Sequence, residues 1–413
     1  MARGSAATED TPGSVDRARP EHPDKPSMDE RARDALRSEY NMRIPTALIG
    51  LALLTTPALA QTPVNAPVEP EVWAHLPEPV TNNAVAGIEL DGRLMAYSFA
   101  GLHAGKTWRD VTADAYACDL DARTCREIDG LPDGVGRLAS IAVTMRDQIY
   151  VFGGYTVAED GSERSTPEVW RFDPASETYA HITDMPLPVD DTVALPFQDR
   201  YIYLVSGWHD TDNVDLVQVY DVEENRWFEA TPFPGAPVFG HAGAVSLSGQ
   251  ILICGGTAVI PPEVVGGRRS FVATSDCYQA EIGQGPARLD WQEYRSPDIG
   301  AVYRGVLVEA SGNAVYLIGG SDNAYNYNGI GYNGEPSEPR PSILRSGDCH
   351  PAPAWWMSRQ LAAHDRMDIR GVVRRGPDYF ALGGMGQGQA VSDAVIRYST
   401  DVLPTATAPC PID

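Results

Sequence analysis

Adjacent glycines end an apolar stretch at regular intervals along this chain. Four stretches end in Gly-Gly, one in Ser-Gly and one in Ala-Gly. The Val, Ile, Tyr and Phe that precede them suit a largely buried strand, and a glycine pair lets another segment approach the backbone closely. The stretches read LMAYSFAGLH from residue 94, DQIYVFGGYT from 147, YIYLVSGWHD from 201, ILICGGTAV from 251, AVYLIGGSDN from 314 and DYFALGGMGQ from 378.

The spacing of these glycines predicts a repeat protein built from short strands. The second residues of the pairs are separated by 53, 53, 49, 64 and 64 residues; they are Gly101, Gly154, Gly207, Gly256, Gly320 and Gly384. Around each pair the same order recurs: an apolar strand, the strand into the glycines, a loop, and two further strands, the last with an aromatic residue before a proline. A period near fifty made of four short strands is typical of an all-β propeller.

The two ends of the chain complete one repeat between them. After Gly384 only one more strand is evident, AVIRYST, whereas EVWAHLPEPV at residues 71–80 has the pattern of a fourth strand with nothing before it. We therefore expect six blades, with the N-terminal strand completing the last blade and closing the ring, which leaves no free sheet edge around the circle.

Charge and the N-terminal pattern restrict the partners and the location. The formal charge of -24 argues against nucleic acid or an anionic membrane surface as the main ligand. From Met42 the chain reads MRIPTALIGLALLTTPALAQTP, the order of a bacterial signal peptide cleaved after Ala60, with an apolar run too short for a membrane span. The expected layout is a disordered extension or mis-called start at residues 1–41, a signal peptide at 42–60, a linker at 61–70, the propeller at 71–403 and a tail at 404–413. The mature chain would be periplasmic or secreted, without a membrane span.

All six cysteines follow Ala60, an even number in an oxidising compartment, which predicts disulfides. Cys118 and Cys125 flank CDLDARTC, whose intervening residues can form a hairpin that places the two opposite each other. Cys254 with Cys277, and Cys349 with Cys410, are the simplest remaining pairs. A buried, unpaired Cys254 is the alternative.

Charged residues stand just before the first strand of most repeats. They are Arg137, Asp191, His241, Arg304 and Arg370, with Asn82 and Asn83 in the first repeat. Three arginines and a histidine at one channel mouth predict a local positive field suited to a carboxylate. The alternative is that each arginine binds backbone carbonyls or an acid of a neighbouring blade.

The loops after the glycine pairs carry aromatic and amide side chains. WHDTDN brings Trp208, His209 and Asp210 to this face, and SDNAYNYNGIGYNGEPSEP brings Tyr325 and Tyr327. Aromatic faces with Asn amides suit sugar rings, although a merely polar surface loop is the alternative. No HxH, HExxH or CxxC occurs, so no metal or other cofactor is expected.

The glycine pairs and the aromatic residues after them resemble Kelch-repeat β-propellers. Among exported bacterial Kelch propellers the chain most resembles the N-acetylneuraminate epimerase (sialic acid mutarotase) family, on NAYNYNGIGYNGE and on GGMGQGQAVSDAVI. Members of that family interconvert sialic acid anomers. They tend to have Glu directly after the glycine pairs of blades four and six. Thr257 and Met385 occupy those positions here.

If the resemblance extends to activity, it implies ring opening and closing of an acidic sugar by general acid and base groups. His241 or His209 would be the base and Asp191 or Asp210 its partner, while Arg137, Arg304 and Arg370 would hold the sugar carboxylate. The competing hypothesis is a noncatalytic periplasmic module that binds a glycan or a protein partner on the same face.

Overall fold

The computed structural model describes residues 70–262, 270–294, 299–309, 315–340, 342–347, 354–360 and 365–399. The predicted N-terminal extension, signal peptide and tail lie outside the described residues, as does the linker apart from residue 70. Cys349 and Cys410 also lie outside them.

Within the described ranges the chain forms six four-stranded antiparallel sheets, here numbered in chain order. Sheet 1 contains Ala84–Leu90, Arg93–Leu102, Val111–Asp119 and Thr124–Ile128; sheet 2 contains Ile141–Met145, Gln148–Phe152, Glu168–Asp173 and Thr178–Asp184; sheet 3 contains Val193–Phe197, Tyr201–Val205, Val217–Asp221 and Arg226–Ala230. Sheet 4 contains Ala242–Val245, Gln250–Cys254, Cys277–Ile282 and Leu289–Glu293; sheet 5 contains Tyr303–Glu309, Val315–Ser321, Ser342–Gly347 and Ala354–Gln360; sheet 6 contains Val373–Arg375, Asp378–Leu382, Ala394–Ser399 and Glu71–His75. The strands of each of sheets 1–5 are hydrogen-bonded in chain order, so each of these five sheets is an up-and-down meander.

Sheet 6 joins the two ends of the described chain. Its outer strand, Glu71–His75, pairs antiparallel with Ala394–Ser399, with Glu71 opposite Arg397 and His75 opposite Ala394. The ring of Trp73 packs on Phe380 with 5.5 Å between the centroids, and its Nε1 donates to the carbonyl of Leu120 in sheet 1 at 2.6 Å. The N-terminal strand therefore binds both its own sheet and the neighbouring one.

The apolar core lies between neighbouring sheets, where alternate strand residues face each other. Between sheets 1 and 2, for example, Phe172 contacts Tyr97 and Phe99 with centroids 5.1 and 5.4 Å apart. The second glycine of each pair has a positive φ, between 83° and 122°. At Gly154 a Cβ would stand 2.7 Å from the carbonyl oxygen of Leu138, so the close approach of the next segment also requires glycine.

Smaller elements complete the described chain. Short sheets pair Tyr155–Val157 with Glu163–Ser165, Trp208–His209 with Asp212–Asn213, and Thr257–Ile260 with both Val238–Phe239 and Ser270–Ala273; 3-10 turns span Trp108–Asp110 and Gln387–Gln389. Among the described residues, no helix has the length and apolar character needed to cross a membrane.

Two disulfides join neighbouring strands directly opposite each other. Cys118–Cys125 links the outer hairpin of sheet 1, as the spacing predicts, and Cys254–Cys277 links the two middle strands of sheet 4. Cys254 is therefore paired and is not the free buried thiol of the alternative interpretation.

Trp73→Ala is expected to lower the free energy of unfolding by about 2–3 kcal/mol, less than for a fully buried tryptophan because the ring is half-buried. Chemical denaturation followed by circular dichroism measures the change. Val72→Ala on the same strand, where the valine is 37% exposed, is the matched control and should cost less than about 1 kcal/mol. Equal losses in the two variants would contradict the anchoring role of Trp73.

Candidate functional site

A ring of backbone hydrogen bonds connects the sheets just before their innermost strands. One residue per sheet adopts left-handed φ: Asn82 (56°), Ala139 (56°), Asp191 (53°), Gly240 (64°), Arg304 (52°) and Asp368 (61°). Five of these residues donate their N–H to the carbonyl of the equivalent residue in the preceding sheet: Asn82 to Asp368 at 3.3 Å, Ala139 to Asn82 at 3.3 Å, Asp191 to Ala139 at 3.2 Å, Gly240 to Asp191 at 2.7 Å and Arg304 to Gly240 at 2.7 Å. These residues and their side chains surround one end of the central axis.

The side chain of Arg304, one of the ring residues, binds two carboxylates. Its Nε and Nη2 donate to Asp191, at 3.2 Å and 2.5 Å from Oδ2, and its Nη1 donates to Asp368 Oδ1 at 3.0 Å. Asp368 also accepts from the hydroxyl of Thr81 at 2.8 Å. All three charged side chains are 0 to 2% exposed.

Arg370 completes the cluster from sheet 6. It is ion-paired with Asp191, and its Nε and Nη2 donate to Asn82 Oδ1 at 3.0 and 2.9 Å. Two guanidinium groups thus face two carboxylates, and the cluster carries no net charge. Burial alone would raise the pKa of Asp191, but Arg304 and Arg370 lower that pKa to about 2.

The predicted positive field is therefore not formed by Arg304 and Arg370. Arg304 binds Asp368 of the neighbouring sheet 6, as the alternative interpretation proposes, whereas Asp191, which both arginines bind, belongs to sheet 3 and neighbours neither of their sheets. The physical reason is desolvation, because an unpaired guanidinium at this depth would cost several kcal/mol. Asp191 is held ionised between two cations, and this arrangement does not leave it available to exchange protons near neutrality.

Arg137 does not join the cluster. It is 1% exposed, and its guanidinium is ion-paired with Asp133 and with Glu168, the latter at 3.3 Å. Arg137 lies two residues before the left-handed Ala139, whereas Arg304 is itself the left-handed residue. Because of this difference in position, the side chain of Arg137 binds Asp133 and Glu168, whereas that of Arg304 binds the carboxylates of the cluster.

His241 directly follows the left-handed Gly240 and is 4% exposed. Neither ring nitrogen makes a hydrogen bond to the described residues. Burial lowers the pKa of His241 to about 4, so the imidazole is neutral at pH 7. Of the two predicted bases and the two predicted partners, His241 and Asp191 are buried.

Asp190 and Asp210 meet at Ser165, which connects sheets 2 and 3. The hydroxyl of Ser165 donates to Asp190 Oδ2 at 2.6 Å and accepts from the N–H of Asp210 at 3.0 Å, while Asp210 Oδ1 accepts from the N–H of Ser165 at 3.0 Å. Burial, and then the charge of Asp191, raise the pKa of Asp190 well above its usual range. Asp210 thus serves at least to fix the loop after the third glycine pair.

His209 and Trp208 occupy the same loop and are half-buried. His209 Nδ1 lies 2.6 Å from the carbonyl oxygen of Pro188. A carbonyl only accepts, so Nδ1 carries the proton and Nε2 is left as the basic nitrogen. Trp208 packs against Phe239 and Phe271, with centroids 5.3 and 5.9 Å apart.

The Tyr- and Asn-rich segment 322–340 lies across the ring. Tyr325 is fully buried, with its ring 5.4 Å from the guanidinium carbon of Arg304. Tyr327 is half-buried against Leu102, Leu138 and the other members of a cluster from sheets 1 and 2. At the other end of the segment, Glu338 accepts from the N–H of Gly388 at 3.0 Å. The segment, here called the cover loop, therefore shields the charged cluster from this face.

Thr257 and Met385, which stand where the resembling family tends to place Glu, are both fully buried. Below the cluster, a cavity of about 260 Å³ runs along the axis, lined by residues of all six innermost segments. Among the described residues, no group of three or more His, Cys, Asp or Glu is arranged to hold a metal ion.

Asp368 and Asp190 are the charged residues of this region that the sequence interpretation missed. Asp368 precedes Arg370 by two residues in RMDIR, and Asp190 precedes Asp191 directly. The pairing of Asp368 with Arg304 joins residues 64 positions apart. The acid two residues before Arg370 was the available signal for Asp368, although its partner Arg304 was not.

Comparisons with known proteins agree with this architecture. A Kelch motif matches residues 142–186. Kelch-like protein 15 of Gallus gallus is 30% identical over 108 residues, 26% of this chain and 22% of that protein, and Kelch-like protein 35 of Mus musculus is 26% identical over 220 residues, 52% of this chain and 33% of that protein. The solved structure of YjhT matches with a TM-score of 0.59 at 16% identity, covering 79% of this chain and 97% of that one.

This chain thus spans a third or less of the length of these two curated relatives. The motif, the relatives and the structural neighbour together support one conclusion about architecture: the chain folds as a Kelch-type β-propeller.

Asp191→Asn is expected to destabilise the protein by about 3–5 kcal/mol, because Arg304 and Arg370 lose the carboxylate they share. The folded-state pKa of Asp191 is depressed to about 2, so its stabilisation is complete above the unfolded-state pKa near 3.8 and is lost as pH falls through about 2. Urea unfolding at several pH values measures both effects. Asp212→Asn, at an exposed position, is the control. An unchanged stability in Asp191→Asn at pH 7 would contradict the cluster.

Asp190→Asn is expected to stabilise the protein, the opposite of the effect expected for Asp191→Asn. The raised pKa of Asp190 means that the folded state retains a proton which the unfolded chain releases, so this group lowers stability as pH rises above the unfolded-state pKa. Asparagine keeps an acceptor for Ser165 and does not ionise. In thermal unfolding, the variant should gain stability relative to the wild type as pH rises above the unfolded-state pKa near 3.8. A difference that does not change with pH would contradict the protonated state of Asp190.

Proposed function

We propose that this protein is an exported, noncatalytic carbohydrate-binding propeller of six blades, closed by the N-terminal strand in the last blade. The six four-stranded sheets, whose innermost segments line one cavity, support the blade number. The pairing of Glu71–His75 with Ala394–Ser399 supports the closure. Two disulfides are consistent with a periplasmic or secreted location.

The observation that carries the noncatalytic assignment is the state of the charged cluster. Arg304 and Arg370 are already bound to Asp191, so a sugar carboxylate would have to compete with this buried ion pairing. The cover loop, with Tyr325 fully buried beneath it, separates the cluster from solvent on this face. A stable, charge-balanced cluster of this kind joins blades better than it moves protons.

The recognition surface is assigned to the outside of the cover loop and the neighbouring edge of Trp208. The loop is held by its own backbone hydrogen bonds, including Asn326 to Ile330 at 2.9 Å and Tyr332 to Ala324 at 3.0 Å. Such a preformed loop loses little conformational entropy on binding. The half-buried rings of Tyr327 and Trp208 offer apolar faces for stacking on a sugar.

A sugar mutarotase acting on N-acetylneuraminate or a similar acidic sugar is the second candidate. One observation favours it: the carbonyl of Pro188 fixes the tautomer of His209, which leaves Nε2 as a general base on a half-buried side chain beside Asp210. In this version the base is His209, and the buried His241 has a structural role.

Proton NMR of freshly dissolved N-acetylneuraminate tests both candidates. We expect no acceleration of anomeric exchange. Saturation transfer to a sugar from a panel of neutral and acidic monosaccharides is expected in the wild type, reduced several-fold in Tyr327→Ala and retained in Tyr327→Phe, which keeps the stacking ring.

Each contrary result has a defined meaning. Accelerated exchange that is lost in His209→Gln would replace the binding module with the mutarotase. No transfer to any sugar of the panel would overturn carbohydrate binding and leave a protein partner on this face.

A further inference from the structure

Four arginines are buried in the part of the chain that the structure describes: Arg137, Arg304, Arg366 and Arg370. Arg137, Arg304 and Arg370 are each ion-paired with at least one carboxylate. Arg366, which is 7% exposed, makes no ion pair with any described residue. A buried guanidinium that forms no ion pair is costly, so Arg366 departs from the pattern of the other three.

Arg366 and Arg137 occupy equivalent positions in their sheets. Each lies two residues before the left-handed residue of the ring, Asp368 and Ala139 respectively. Asp133 and Glu168 neutralise Arg137. The protein thus contains one paired and one unpaired copy of the same arrangement, and the paired copy shows which kind of group the unpaired one lacks.

The bonds that Arg366 does make leave donors unused. Its Nη1 donates to the carbonyl of Asp365 at 3.0 Å and its Nη2 to the hydroxyl oxygen of Ser392 at 3.2 Å, while Nε has no partner. Ser392 Oγ also accepts from the N–H of Ala394 at 3.1 Å, and no described residue accepts its hydroxyl hydrogen. Two neighbouring donors therefore lack an acceptor.

The guanidinium of Arg366 is closely covered on one side. A side chain at Gly386 would stand 3.3 Å from Nη1 of Arg366, so the glycine-rich segment after the sixth glycine pair passes directly over the guanidinium. Ser392, at the edge of this segment, is half-buried and provides the approach. Burial lowers the pKa of Arg366, while Tyr398, Asp365 and Asp393 raise it; the guanidinium remains charged at any physiological pH.

We propose that Arg366 and Ser392 form a binding site for the carboxylate of a small molecule. Nε–H and the Ser392 hydroxyl supply two donors to one carboxylate, in the charge-assisted geometry that arginine favours. Asp365 and Asp393 are close enough to affect Arg366, so a single negative charge is preferred over the double charge of phosphate. The site lies on the face of the proposed recognition surface but does not depend on it, because a simple carboxylate is sufficient as ligand.

The test is a titration of the wild-type protein with sodium acetate, against sodium chloride at matched ionic strength and against sodium phosphate. The side-chain Nε–H signal of Arg366, assigned by its absence in Arg366→Gln, is followed by proton–nitrogen NMR. We expect a saturable shift with acetate, a smaller one with phosphate and none with chloride, together with an acetate-dependent rise in melting temperature.

Variants separate this site from general ion effects. The rise with acetate should vanish in Arg366→Gln, decrease in Ser392→Ala, and persist in Arg137→Gln even though that variant unfolds at a lower temperature than the wild type. In the absence of acetate, Arg366→Gln should lose less stability than Arg137→Gln, since no ion pair is broken.

Two results would overturn the proposal: an Arg366 signal that does not move with acetate, or the same acetate effect in Ser392→Ala as in the wild type. If Arg366→Gln does not fold, the wild-type titration and Ser392→Ala decide the question. Neither outcome depends on sugar binding, so failure of this site and failure of the proposed function are distinguishable.

Discussion

The backbone ring through the left-handed residues is the interaction on which the arrangement of the six sheets depends. A left-handed conformation costs about 1–2 kcal/mol for a residue with a Cβ, and five of the six ring residues have one. Each hydrogen bond of the ring contributes about 0.5–1.5 kcal/mol and joins two sheets. The conformational cost is thus offset only when neighbouring sheets are correctly placed, which makes the ring a cooperative feature.

The ring also determines the chemistry at its centre. Because Asp191, Arg304 and Asp368 are themselves ring residues, their side chains start from equivalent backbone positions and meet near the axis, where Arg370 joins them. The backbone geometry thus brings charges from sheets 3, 5 and 6 into contact, and desolvation requires that they balance. Neutrality at the axis and the covering of the cluster by segment 322–340 are the two structural grounds for proposing a binding role for this region.

The sequence was sufficient to predict much of the fold, since the glycine pairs mark strand ends that need positive φ and close backbone approach, as at Gly154. It also located Cys118 and Cys125. The site was harder to predict, because contacts between sheets join residues far apart in the chain: Asp191 and Arg304 are 113 positions apart. Nor does the sequence show that Tyr325 points inward, because an Asn- and Tyr-rich loop reads as solvent-facing until its packing is known.

The pairing of the first described strand with the last has a consequence for the order of folding. Glu71 and Arg397, which are ion-paired, are 326 positions apart, so sheet 6 forms its outer edge only after the rest of the chain has been synthesised. Contacts of such long range slow folding, because the entropy of closing the loop is lost before the contact stabilises anything. During that interval the edge of Ala394–Ser399 is unpaired and open to strands of other chains. Pairing with Glu71–His75 therefore also removes an edge through which the incomplete sheet could aggregate.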